Sequence, residues 1–224
     1  TWSRASGKWT AHALTSFDGN QGAFGDYNRE NGYFLLCYVP SSSDRTTFFE
    51  WSPSGGLVQR ATISTPVHRV PNGCSLWLGG ENFLMVRSGL GGSPKMWLYT
   101  HHATNPSLVD IAPPIFSEVM SKTPENGYWA LDHDHGKIWW LVSQEADKPR
   151  LFYAATSDPA NLRELKNFAD TAGFRVASNA ISGAGMKGMC YWGGYLWMIG
   201  GALQPAPNAD GRTYKARFWR FPTF

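Results

Sequence analysis

Cysteine and charge are what this sequence has least of. Three cysteines occur in 224 residues, Cys37, Cys74 and Cys190, and none belongs to a CxxC pair. That spacing excludes a zinc-ribbon framework, and the odd number excludes a fully paired disulfide scaffold. Each lies in an apolar, strand-like run, so all three are expected to be buried free thiols. Charged residues make up 17% of the chain, the net charge is +3, and lysines and arginines are scattered without a run of five. A nucleic-acid partner needs a basic stripe and is not expected. No apolar stretch reaches the roughly 18 residues of a membrane helix, so membrane insertion is not expected. No charged-then-apolar leader follows Thr1, and the expectation is a processed chain or an excised domain. The GxSxG, HExxH, P-loop and GxGxxG signatures are also missing. Gly89-Leu90-Gly91-Gly92 and Gly183-Ala184-Gly185 are Gly-rich, but neither joins a strand to a helix as a phosphate cradle does. No cofactor is expected.

Tryptophan and glycine are abundant instead: 11 Trp, 24 Gly and 15% aromatic residues in a chain that is 42% apolar. Many short strands joined by tight turns have this composition. Four apolar runs follow a turn containing Gly or Asn: Tyr33–Val39, Phe83–Arg87, Lys137–Val142 and Tyr195–Gly200. Each is followed by a polar loop and a second aromatic run, Thr47–Trp51, Lys95–Thr100, Arg150–Ala155 and Ala216–Phe221. Three then enter a short turn and a further strand, Leu57–Ile63, Leu108–Ile111 and Leu162–Leu165. Runs at Cys74–Leu78, Tyr128–Asp132 and Met189–Trp192, and a weaker one at Gly22–Tyr27, precede the first turn. The unit is four antiparallel strands, A to D, and its length is roughly that of a propeller blade. Asn-Gly, Gly-Gly and His-Gly supply the positive φ that tight hairpins require.

The expected fold is all-β, one four-bladed β-propeller domain over 1–224. Its blades run approximately over 15–64, 65–115, 116–168 and 169–224. The last repeat stops after strand C, and an extra strand, Lys8–Leu14, precedes the first. Placing Lys8–Leu14 on the outside of the last blade, beside Ala216–Phe221, would close the ring and protect its edges. A five-bladed ring is the alternative, with a degenerate blade at Arg175–Ser182. The layout resembles the broad β-propeller superfamily. The turn Ala155-Thr156-Ser157-Asp158-Pro159-Ala160-Asn161-Leu162 distantly resembles the Asp-box turns of sialidase-like propellers, without the Gly and the aromatic of the full box. The resemblance implies a fold and names no single family.

In a propeller the A–B and C–D turns share one face, and the B–C loops and D–A connections share the other. The long connections here, Ser64–Gly73, Ala112–Asn126, Ala169–Lys187 and Gly201–Lys215 among them, all fall on the second face. Variable loops on a rigid scaffold are where ligands bind. The candidate contacts from the first two blades are Asp44, Arg45, His68 and Arg69; Glu118, Lys122, Arg175, Asn179, Asp210 and Arg212 follow from the later connections. The arginines stand out because a guanidinium grips a carboxylate with two hydrogen bonds. Trp77, Trp129 and Trp192 lie in A strands, which line the channel, and either stack on a sugar ring or plug the hole. Trp97, Trp139, Trp140, Trp197 and Trp219 lie in B or C strands and are expected in the core. In Asp132-His133-Asp134-His135 the two histidines project to one side as a strand-borne pair for a metal. The same segment reads more simply as a hairpin tip, and no metal site is assigned. His101-His102 opens a C–D turn on the same face.

These features favour a binding module, a glycan- or receptor-binding head of a larger assembly such as a phage or virus tail protein. The expected partner is a glycan or cell-surface receptor, with other subunits of the assembly. A virion-associated or extracellular location without disulfides goes with it. A propeller glycosidase, sialidase-like, acting on acidic or neutral glycans is the alternative; it requires two carboxylates about 5–9.5 Å apart, and no recognisable motif supplies them. A structural ring mediating protein–protein contact is the third reading.

Overall fold

The computed structural model describes residues 2–3, 8–9, 24–38, 45–64, 74–87, 94–121, 127–143, 149–166, 168, 186–205 and 212–224. Among them four antiparallel sheets follow one another along the chain. The first contains β3 (Phe24–Asn28), β4 (Tyr33–Tyr38), β5 (Thr46–Ser52) and β6 (Gly56–Ile63). The second contains β7 (Cys74–Gly79), β8 (Asn82–Arg87), β9 (Lys95–Thr100) and β10 (Leu108–Asp110). The third contains β11 (Tyr128–Asp132), β12 (Lys137–Ser143), β13 (Pro149–Ala155) and β14 (Asp158–Glu164). The fourth has three strands, β15 (Met186–Trp192), β16 (Tyr195–Pro205) and β17 (Arg212–Pro222). Within each sheet every strand pairs with its chain neighbour, which is the A–B–C–D unit of the repeats. The A–B turns close through Gly32, Gly80, Gly136 and Gly194, all at positive φ, where a side chain would be strained.

Strand β3 packs beside β7, β7 beside β11, and β11 beside β15. The A strands are therefore innermost and the sheets succeed one another about an axis, as the blades of a β-propeller do. The core lies in the seams between blades. Tyr33, Leu35, Cys37 and Phe48 of blade 1 meet Trp77, Phe83, Met85, Trp97 and Tyr99 of blade 2, with Phe48 stacked on Tyr99 at 4.0 Å. Leu76, Leu84, Val86 and Met96 meet Trp129, Ile138, Trp140 and Phe152 of blade 3. Ala130, Trp139, Leu141 and Leu151 in turn meet Leu196 and Met198 of blade 4. Alternate residues of β8 thus serve alternate seams. A blade covered on both faces must be apolar on both, which is why these strands read as unbroken apolar runs.

One expectation, the closing strand, is not seen among the described residues, and three need correction. Lys8 and Trp9 form β2 and pair with Ser3 and Trp2 of β1 (Trp2–Ser3), in a ladder of their own. Hydrogen bonding of this segment to β17 is not seen among the described residues, and 10–14 lie outside them. The stretch Gly201–Lys215 is mostly not a loop, because β16 and β17 pair from Tyr195–Pro222 out to Pro205–Arg212. The Ala112–Asn126 connection contains a helix, α1 (Pro114–Ser121); it buries Phe116, Val119 and Met120 in the seam of blades 2 and 3. Cys190 is exposed, unlike buried Cys37, because it lies on the side of β15 that faces away from blade 3. No helix among the described residues is long and apolar enough to cross a membrane.

Candidate functional site on the turn face

Each A strand ends at an A–B turn, and its last residue sets the character of that turn. In blade 1 this residue is Asn28, fully buried. Its Oδ1 accepts the N–H groups of Glu30 and Asn31, each at 3.0 Å. Its Nδ2 donates to the Gly80 carbonyl at 2.8 Å, tying the turn to blade 2. In blade 3 it is Asp132, also fully buried. Asp132 accepts the His135 N–H at 3.0 Å, the His135 imidazole at 2.9 Å and the Trp139 indole at 3.4 Å. Burial opposes ionisation of Asp132, but these donors outweigh it and hold its pKa below the usual carboxylate value.

The A strand of blade 2 ends in Gly79, and blade 4 differs from the other three. Its A strand ends in Trp192, which is 72% exposed. Trp192 pairs across the hairpin with Tyr195, and Arg220 pairs with Trp197, so all four side chains share one side of the sheet. The Trp192 and Trp197 rings lie 6.2 Å apart. The Trp197 indole donates to the Trp192 carbonyl at 3.0 Å, and the Arg220 guanidinium sits 5.0 Å above the Tyr195 ring. The result is an open aromatic ledge with one cation over it.

A polar cluster lies in the seam of blades 1 and 2. Glu50, on β5, is gripped by Arg60 Nε at 2.9 Å and Nη2 at 3.2 Å. His101 and His102 follow β9 and bring their Nε2 atoms to 3.4 and 3.2 Å of Glu50 Oε2. His101 Nδ1 meets the Tyr99 hydroxyl at 3.1 Å, and Tyr33 donates to Glu81 beside it. Burial pushes the His101 pKa down, His102 adds to this, and Glu50 opposes it without cancelling it. Burial raises the Glu50 pKa, but hydrogen bonds from Arg60 and His101 and the nearby cations bring it below the ordinary value.

Of the candidates read from sequence, Asp44, His68, Arg69, Arg175 and Asn179 lie outside the described residues, as do Lys122 and Asp210. Arg45 is exposed at the start of β5, and Glu118 is exposed on α1, whose charge reaches Arg150. Arg212 is a strand residue paired with Pro205. Trp77 and Trp129 are buried fillers of the seams. The Trp77 N–H donates to Asp26 Oδ2 at 2.7 Å and its indole to the Gly80 carbonyl at 2.9 Å. Trp129 stacks on Trp140 at 5.2 Å, and its buried indole N–H has no hydrogen-bond partner among the described residues. Trp192 stands in solvent at the turn. His133 pairs with Asp134 at 3.4 Å and His135 with Asp132, both at the one A–B turn of blade 3. The three residues that bring possible ligand atoms together among the described residues are different ones, Glu50, His101 and His102, whose atoms lie within 4.8 Å of one another. Glu50 lies 51 positions before His101; nothing in a single sequence signals that pairing except the adjacent histidines themselves.

No protein-family model matches the sequence, and no curated protein does. Solved structures do resemble it. The phage phi92 endosialidase matches with a TM-score of 0.53 at 9% identity, over 91% of this chain and 35% of that one. TolB from Acinetobacter baumannii matches with a TM-score of 0.50 at 11% identity, over 99% of this chain and 47% of that one. The chain thus spans less than half the length of either structure, and at these identities the likeness is one of fold.

Proposed function

We propose that this propeller is a binding module that holds a glycan, free or on a cell-surface receptor, against the ledge of Trp192, Tyr195 and Arg220. The observation that carries the reading is the 72% exposure of Trp192, at a position where blades 1 and 3 bury an Asn and an Asp. A tryptophan offers about 150–250 Å² of ring surface, and leaving it in water forgoes burial energy that the rest of the chain collects. Tryptophan, tyrosine and arginine together are the residues that dominate recognition sites. Sugar rings present apolar C–H faces that stack on such a ledge, and Arg220 suits the carboxylate of an acidic sugar. Placement at the tip of a tail or spike assembly is the setting this reading fits.

The glycosidase alternative has less to rest on. Among the described residues, three carboxylates at or near the turn face are already engaged: Glu50 by Arg60, Glu81 by Tyr33, and Asp132 by His135. A panel of neutral and sialylated oligosaccharides titrated into the chain, with tryptophan fluorescence as the readout, tests the binding reading. Saturable quenching is expected, weakened more than about tenfold in Trp192→Ala, a central hot-spot loss of about 1.4 kcal/mol or more. Equal binding by Trp192→Ala, or no response to any sugar, defeats the proposal.

A further inference from the structure

We propose that Glu50, His101 and His102 form a site for a divalent transition-metal ion of the zinc class, bridging blades 1 and 2. The inference is independent of the glycan reading, because the trio lies between blades 1 and 2 and the ledge on blade 4. Zinc holds nitrogen and oxygen ligands at about 2.0–2.1 Å in a tetrahedron, which places neighbouring ligand atoms about 3.3 Å apart. The two Nε2–Oε2 separations here are 3.4 and 3.2 Å, with all the ligand atoms inside 4.8 Å. As a hydrogen bond 3.4 Å is poor, since such bonds centre near 2.9–3.0 Å; as the edge of a coordination tetrahedron it is the expected length.

Three features prepare the side chains for this role. In the tautomer that gives its Nδ1 proton to the Tyr99 hydroxyl at 3.1 Å, His101 turns an Nε2 lone pair toward Glu50; outer hydrogen bonds of this kind orient metal-bound histidines. His101 is almost fully buried, which holds its ring in that orientation. His102 adopts φ 55°, the one positive φ outside glycine among the described residues. Consecutive residues of an extended chain point to opposite sides, and this backbone reversal is what aims both imidazoles at one carboxylate. Strained backbone of this kind is found where a site over-determines it. Arg60 contacts both Glu50 oxygens and competes for Oε2, while its hold on Oε1 can persist as an outer contact. His102 is 46% exposed, which leaves an entry path and room for water as a fourth ligand, the open arrangement of three protein ligands.

The test uses the full chain after chelator treatment. Zinc is titrated by calorimetry, and cobalt(II) is followed by its visible absorption. One ion per chain and a tetrahedral cobalt spectrum are expected. His102→Ala and Glu50→Gln, both at partly open positions, should each weaken binding more than about tenfold, while His133→Ala leaves it unchanged. Metal-free melting of His102→Ala close to that of the parent chain establishes that the loss is not one of folding. Absence of saturable binding, parental affinity in both variants, or an equal loss in His133→Ala overturns the proposal.

Discussion

Asp132 illustrates how one side chain fastens a turn. It is fully buried, yet its oxygens accept from a backbone N–H, an imidazole and an indole. Because folding lowers its pKa, its contribution is complete above the unfolded value of about 3.9. That contribution disappears as pH falls through the lower folded value. Urea midpoints measured from pH 6 down to pH 3 should therefore decline more steeply for the parent than for Asp132→Asn. At neutral pH the substitution should cost about 1–3 kcal/mol, the range for disrupting a buried polar group. Single residues were unevenly legible in the sequence. His135-Gly136 announced a turn through glycine chemistry, and the B- and C-strand residues Trp97, Trp139 and Trp140 announced core. Trp192 occupied an A-strand position and was read as channel lining; its exposure depends on which side of the last sheet has a neighbour, and that is a tertiary fact. Glu50 carried no local signal at all.

Strands were the most legible elements. Their apolar runs and glycine turns placed β4, β5, β7, β9, β11 and β12 to within a residue or two, because hairpin chemistry is local. Helix α1 was missed: eight residues inside a connection rich in proline leave too short a period to detect, although its Phe116, Val119 and Met120 carry the spacing of a buried face. The entry into β11 is tightly constrained. Gly127 has φ 68°, and a Cβ there would fall 2.5 Å from the Leu141 carbonyl oxygen and 2.6 Å from the Trp140 indole nitrogen. Gly127→Ala should therefore destabilise the fold by about 1–3 kcal/mol through strain and overpacking. Gly56→Ala, equally positive in φ but with open space around it, should cost less. Chemical denaturation of the two variants measures the difference.

For the whole molecule, the seams are separate cores that each join successive blades. Leu35 belongs to the seam of blades 1 and 2, and Leu196 to that of blades 3 and 4. Leu35→Val and Leu196→Val should each cost about 1 kcal/mol, and the double variant should match their sum within about 0.5 kcal/mol. A larger discrepancy in denaturation would mean that the blades communicate beyond their neighbours. The repeat was legible at this scale because each blade is nearly contiguous in sequence, whereas the closing role read for Lys8–Leu14 is not seen among the described residues. The blades are also unequal. Beyond Met186–Gly200, β16 and β17 pair only with each other among the described residues, and Gly201–Pro205 extends that ribbon by about 17 Å at strand rise. Among the described residues, a body approaching along the axis from that end would meet one long hairpin and three shorter ones, so the four blades do not present it with equal rims.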